Sequence, residues 1–197
     1  MNSKFELLLD DTVEYLGIKL FRIRALNSFG NVKAGDIGGY IEKEENLSES
    51  GNSWVYDNAR VYGNARVYGN ARVYGDAWVY GNAEVHGNAM VYGNAWVSGD
   101  AEVYGNARVS GNAMVSGNAE VYGDARVTSQ KDYIVFKNSW SSFRWFTYTK
   151  SNRMWKVGCF YGTGQELIEK AYQDSEKSGK CYEAYVNLVL ELEKLDD

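Results

Sequence analysis

The chain has 197 residues, a formal net charge of -5 and a pI near 5.1. That balance excludes a general nucleic-acid coat, which needs a basic surface to displace counterions from phosphates. No stretch approaches the ~20 apolar residues of a membrane span, and the start, MNSKFELLLDDTVEYL, lacks the apolar run and cleavage site of a secretory signal, so a cytoplasmic protein without membrane contact is expected.

In chain order, residues 5–9 and 19–26 read as a strand pair. Ile41 and Leu47 stand six apart, with Val55 eight further on, and read as an irregular first coil. Residues 1–50 are thus expected to form an N-terminal β cap and that coil. From there the pattern becomes strict. Thirteen valines, Val55 to Val127, recur every six residues. Alanine stands two before each (Ser53 in the first copy), and Gly-Asn or Gly-Asp follows two after, except Asp57-Asn58 and Ser129-Gln130. In A-x-V-y, alternate side chains face opposite ways. Ala and Val line one side, x and y the other. Glycine accepts positive φ, and Asn and Asp tolerate the left-handed region, so the pair turns the chain. A hairpin ribbon from such short strands has little core, whereas six-residue periods signal a β-helix. Three repeats make one triangular coil with a Val/Ala axis. Residues 51–130 form this β-helix. The ends of the stack leave backbone unpaired and need covering.

Residues 131–197 read as a small α+β domain. Strands are expected over 133–136, 143–148 and 154–159, with a turn at Ser151-Asn152. Thr163-Gly164-Gln165-Glu166 is a capping box. It opens a helix over 164–177, broken at Ser178-Gly179, with a second over 181–195 carrying Tyr182, Tyr185, Val186, Val189 and Leu192 on one stripe.

Sorted by three, the outward positions give three faces. The first carries Trp54, Arg72, Met90, Arg108 and Arg126 at x, and Tyr56, Tyr74, Tyr92, Ser110 and Thr128 at y. Guanidinium for phosphate and ring for base make Arg72, Tyr74, Tyr92, Arg108 and Arg126 the candidate nucleotide or nucleic-acid face; the bland reading is that R-V-Y is simply a common version of the repeat. The second is apolar: Tyr62, Trp78, Tyr80, Trp96 and Met114 form a candidate self-association face for a dimer or trimer, unless the rings only brace stacked strands. The third stacks Glu84, Glu102 and Glu120 beside Tyr68, His86, Tyr104 and Tyr122. It is the candidate surface for a basic partner protein, or else drift among copied repeats.

Catalysis is not expected. His86, the only histidine, takes a position usually held by tyrosine, and no pocket-building insertion interrupts the repeats. No nucleophile elbow or P-loop appears. Cys159, Cys181 and one histidine make no metal set; burial of both thiols is expected. No cofactor is expected.

The segment KAGDIGGYIEKEENLS at residues 33–48, the upstream FRIRAL at 21–26, and GCFYGT at 158–163 followed by a helix resemble phage and prophage hexapeptide-repeat proteins. The resemblance implies a left-handed β-helix in a phage-derived gene and carries over no catalytic residues. Together these readings describe a mainly β protein: a triangular left-handed parallel β-helix between a β cap and an α+β domain. Three functions stay open. One is an inhibitor binding a host defence protein, as an anti-CRISPR does; another is a sponge for a nucleotide immune signal; the third is a structural or virion-associated repeat protein. A hexapeptide acyltransferase fits least.

Overall fold

Small and branched apolar residues alternating with outward ones build a thin stack whose corners must turn tightly. In the computed structural model, which describes residues 2–196, this gives thirteen two-residue strands, β4 (Trp54–Val55) through β16 (Arg126–Val127), one per repeat. Strands three repeats apart pair in parallel: Trp78 on Trp96, Glu102 on Glu120, Arg108 on Arg126. The result is a parallel β-solenoid of about five coils. Its axis is a column of valines and alanines at 0% exposure. Each buried valine contributes roughly 1.5 kcal/mol or more. The regular strand is only x and Val, but the ladder is wider: each x amide donates to the alanine carbonyl one coil on and each y amide to the valine carbonyl, as in Arg60 N to Ala77 O (2.9 Å) and Tyr62 N to Val79 O (3.1 Å).

The corners correct one expectation. Glycine alone takes the left-handed turn, with φ of 64–73° from Gly63 to Gly123; Asp57 stands in at the first corner with φ 53°. A Cβ on Gly99 would lie 2.9 Å from the amide of Gly117 in the next coil. The Asn that follows each glycine is not left-handed. Where the next coil offers Asn or Asp at the same corner, the Asn side-chain amide donates to that residue, as Asn64 does to Asn82 at 3.1 Å.

Above the stack, β1 (Phe5–Tyr15) and β2 (Ile18–Ala25) pair antiparallel around Leu16 (φ 50°) and Gly17 (φ 79°), the geometry of a type I′ turn. A register shift between Leu8 and Thr12 bends β1. β3 (Ile37–Ile41) pairs antiparallel with β2 and parallel with β5 (Arg60–Val61). Ile41 sits over Val61 and Leu47 over Val67, both buried. Trp54 is not an outward residue: Phe5 and Phe29 meet it edge-on at 6.3 and 5.4 Å, leaving it 0% exposed. Lys4 lies beside them. Its Nζ donates to the carbonyls of Ser48 (2.9 Å) and Ser53 (2.8 Å), replacing the coil that is not there.

Below the stack, β17 (Tyr133–Lys137), β18 (Trp145–Thr149), β19 (Met154–Val157) and β20 (Phe160–Gly162) form an antiparallel sheet under α1 (Gly164–Asp174) and α2 (Glu176–Asp196). Side chains satisfy the last coil. Thr147 Oγ1 accepts from Glu120 N (2.9 Å), Ser151 Oγ from Arg126 N (2.7 Å) and Asp132 from Thr128 N (2.6 Å), while Tyr133 OH donates to Met114 O (3.0 Å).

Several expectations need correcting here. The strand expected from residue 143 starts at Trp145, because Phe143 is left-handed (φ 55°) and exposed. A fourth strand, β20, forms at residues 160–162, where no element was expected. The helices part at Ser175, not at Ser178-Gly179. Ser175 is extended, and its Oγ accepts from Ser178 N (3.1 Å), starting α2 there. Gly179 stays helical, since it packs so closely under Tyr172 that a Cβ would sit 2.3 Å from the ring. Tyr182, Val186 and Val189 face the sheet; Leu192 points outward. Cys159 is exposed and Cys181 half-buried, rather than both being sequestered.

Candidate functional site: three lateral faces

Because the coil keeps its 18-residue length from β4 onward, each face is one sheet, and each outward column of the repeats is a ladder at one strand spacing.

On the second face Trp78 stacks on Trp96 at 5.5 Å and Tyr62 on Tyr80 at 5.1 Å, with Tyr80 edge-on to Trp96. The chain itself covers the upper part. Tyr15, at the tip of the β1–β2 hairpin, meets Trp78 at 4.4 Å and Tyr62 at 6.2 Å, and Leu20, Tyr40 and Tyr62 form a small buried cluster. Tyr62 is therefore not available as an outward anchor. The Arg60 guanidinium lies over the Trp78 ring at 4.7 Å. What remains open runs from Trp96 to Met114, the latter 39% exposed.

The third face handles its stacked carboxylates locally. Tyr68 OH donates to Glu84 (2.6 Å) and Tyr104 OH to Glu120 (3.1 Å). Arg66 pairs with Glu84 at 3.8 Å, and Lys156 reaches up from the α+β domain to Glu120 at 3.4 Å. The Glu102 carboxylate, between them, accepts no hydrogen bond and makes no ion pair among the described residues. Burial, then the carboxylates of Glu120 and Glu84, hold its pKa above the usual carboxylate range, against Lys156. The rings form a continuous ladder: Tyr68–His86 at 4.6 Å, His86–Tyr104 at 4.7 Å, Tyr104–Tyr122 at 4.4 Å, ending edge-on against Tyr161. His86 is thus clasped between two rings, and burial lowers its pKa against the pull of Glu84. The same burial, with the bonded glutamates, raises Tyr68 and Tyr104.

On the first face Tyr74 and Tyr92 stack at 4.8 Å with parallel planes. Arg72, Met90, Arg108 and Arg126 form the neighbouring column. A groove of about 420 Å³ runs between this column and the corner asparagines Asn70, Asn88 and Asn106.

Sequence reasoning separated these faces but missed three groups. The corner asparagines form amide ladders, Asn52 to Asn70 to Asn88 to Asn106 to Asp124, at 3.1–3.2 Å per step. The signal was present at period 18: a ladder passes through Asn and stops at Asp, which accepts but cannot donate. Lys4 and Lys156 were also missed, since their roles depend on how the end segments fold back.

Among the described residues no group of three or more His, Cys, Asp or Glu is placed to hold a metal, and no helix is long and apolar enough to cross a membrane. No curated protein matches the chain. The repeats do match a family model described as the YdcK beta solenoid repeat, at residues 55–67, 65–81, 83–99, 101–117 and 107–121. By its repeats, then, this chain is a β-solenoid similar to that of YdcK.

Proposed function

We propose that this chain is a non-enzymatic binding protein of phage origin that disables a host defence system by holding one of its proteins against the lateral faces. It acts in the host cytoplasm as a closed homo-oligomer, dimer or trimer, and its coils wind left-handed. The observation that carries the reading is the apolar strip from Trp96 to Met114. The hairpin covers Tyr62 and part of Trp78 but stops short of this strip, leaving aromatic and thioether surface of the kind that anchors interfaces. The acidic, ring-lined third face offers a basic partner a second contact. The clasped His86, with both ring faces occupied, supports a structural role over that of a general base. The phage origin and the counter-defence role rest on the resemblance of residues 33–48.

Plaque formation tests it. Cells carrying an active defence system and expressing the chain are expected to admit a phage they otherwise restrict. The double substitution Trp96→Ser, Met114→Ser should remove that effect while leaving the thermal transition in place. Unchanged restriction across a panel of defence systems would overturn the counter-defence role.

A further inference from the structure

Several basic side chains of this molecule are matched at short range. Arg22 meets Asp11 at 3.1 Å, Arg66 meets Glu84, Lys156 meets Glu120, and even Arg60 lies on a ring. The arginine column of the first face is different. Arg108 and Arg126 are direct register partners, one strand spacing apart, roughly 4.8 Å. Neither they nor Arg72 has a carboxylate partner among the described residues. Like charges on neighbouring strands repel each other. Their only acidic neighbour in the groove is Asp124, whose Oδ1 is taken by the Asn106 amide at 3.1 Å.

Beside that column the aromatic ladder breaks. Tyr92 stacks on Tyr74, but the next residue in the column is Ser110, so no ring of this face covers the far side of Tyr92. Tyr92 therefore stands on one side of guanidinium groups that lack a carboxylate partner, and the groove walled by the corner asparagines Asn70, Asn88 and Asn106 lies on their other side. Rings stack bases and guanidinium groups hold phosphates bidentately. From Asn70 to Asp124 is three coil spacings, roughly 14 Å.

We infer that the arginine column, with the groove on one side and Tyr92 on the other, is a binding site for a short phosphodiester chain: Arg108 and Arg126 hold successive phosphates, and one base reaches across the column to stack on Tyr92 above Ser110. The site is separate from the Trp96–Met114 strip. Its length suits an oligonucleotide of a few residues, and the acidic remainder of the molecule discourages wrapping of a long strand.

The test is fluorescence anisotropy of the full chain with a labelled single-stranded hexanucleotide at low salt. Saturable binding is expected, weakening as salt rises. Arg108→Glu with Arg126→Glu should weaken it by at least about tenfold and lower the salt slope by about one per arginine. Tyr92→Ser should weaken binding of the oligonucleotide but not of inorganic tripolyphosphate, which separates base stacking from phosphate recognition. Trp96→Ser should change nothing. No saturable binding, or an affinity unmoved by the double charge reversal in a variant whose circular dichroism is native, would overturn the inference. So would an equal loss of both ligands on Tyr92→Ser.

Discussion

His86 stands one coil above Glu102 at the position from which tyrosine hydroxyls reach the next coil's glutamate. Tyr68 bonds Glu84 and Tyr104 bonds Glu120, each across 16 residues. His86 and Glu102 share that spacing, but the imidazole is too short, and Glu102 is left among like charges. Replacing His86 with Tyr is predicted to complete the ladder and stabilise the fold by about 1 kcal/mol, read as a higher Tm.

The same pair sets an acid-side signature. The folded pKa of His86 is lowered, so between 6.5 and that lower value the unfolded chain holds a proton the folded one does not. This contribution to stability is present above 6.5 and lost as pH falls. Glu102 works in the opposite sense, its raised pKa favouring the fold as pH drops toward 4.5. His86→Phe keeps the ring stack but removes the first effect. The stability of this variant relative to the parent, measured by urea denaturation, is predicted to improve steadily from pH 7.5 to about 5.5.

On the alkaline side Lys4 dominates first. Burial pushes its pKa from 10.5 down to about 8, so stability rises with pH across that window, where the unfolded chain holds the extra proton. Above 10 the tyrosines reverse the trend. Burial, with neighbouring tyrosines adding to it, raises Tyr62 to about 12, and stability present below 10 is lost as pH rises through the folded value. A maximum near pH 9 to 10 is predicted, and Lys4→Met should flatten the rise from 8. That substitution also strands the Ser48 and Ser53 carbonyls, costing about 1–3 kcal/mol at pH 7.

The corners give a two-sided prediction. Asp76 accepts from Asn58 but cannot donate onward, so that ladder stops until Asn94 bonds Asn112. Asp76→Asn joins the pieces and should stabilise by about 0.5 kcal/mol. Gly99→Ala combines left-handed strain with a 2.9 Å contact to the coil beneath, whereas Gly117→Ala meets nothing within 4 Å. Both should destabilise, Gly117→Ala by about 1–2 kcal/mol and Gly99→Ala by more. Paired melting curves read the difference.

The solenoid was legible because its period is strict. Val55 to Val127 define the axis, and sorting by three places Trp78 over Trp96 and Glu102 over Glu120, as the pairing has it. The corner role of asparagine was not, because φ tolerance and amide bonding recruit the same residue. The fold-back of Tyr15 onto Trp78, the burial of Trp54 and the docking of Lys156 on Glu120 join parts of the chain with no common period. The helix boundary at Ser175 was readable as an N-cap, but Gly179 is the stronger local signal until Tyr172 is seen to need the space.

The central claim, that the open Trp96–Met114 strip is an interface, meets its most direct test in native mass spectrometry of the chain purified from phage-susceptible cells. The account predicts a closed dimer or trimer, alone or with a host protein, that falls to monomer on Trp96→Ser with Met114→Ser. A monomer with nothing bound, or an assembly the double variant leaves intact, would contradict it.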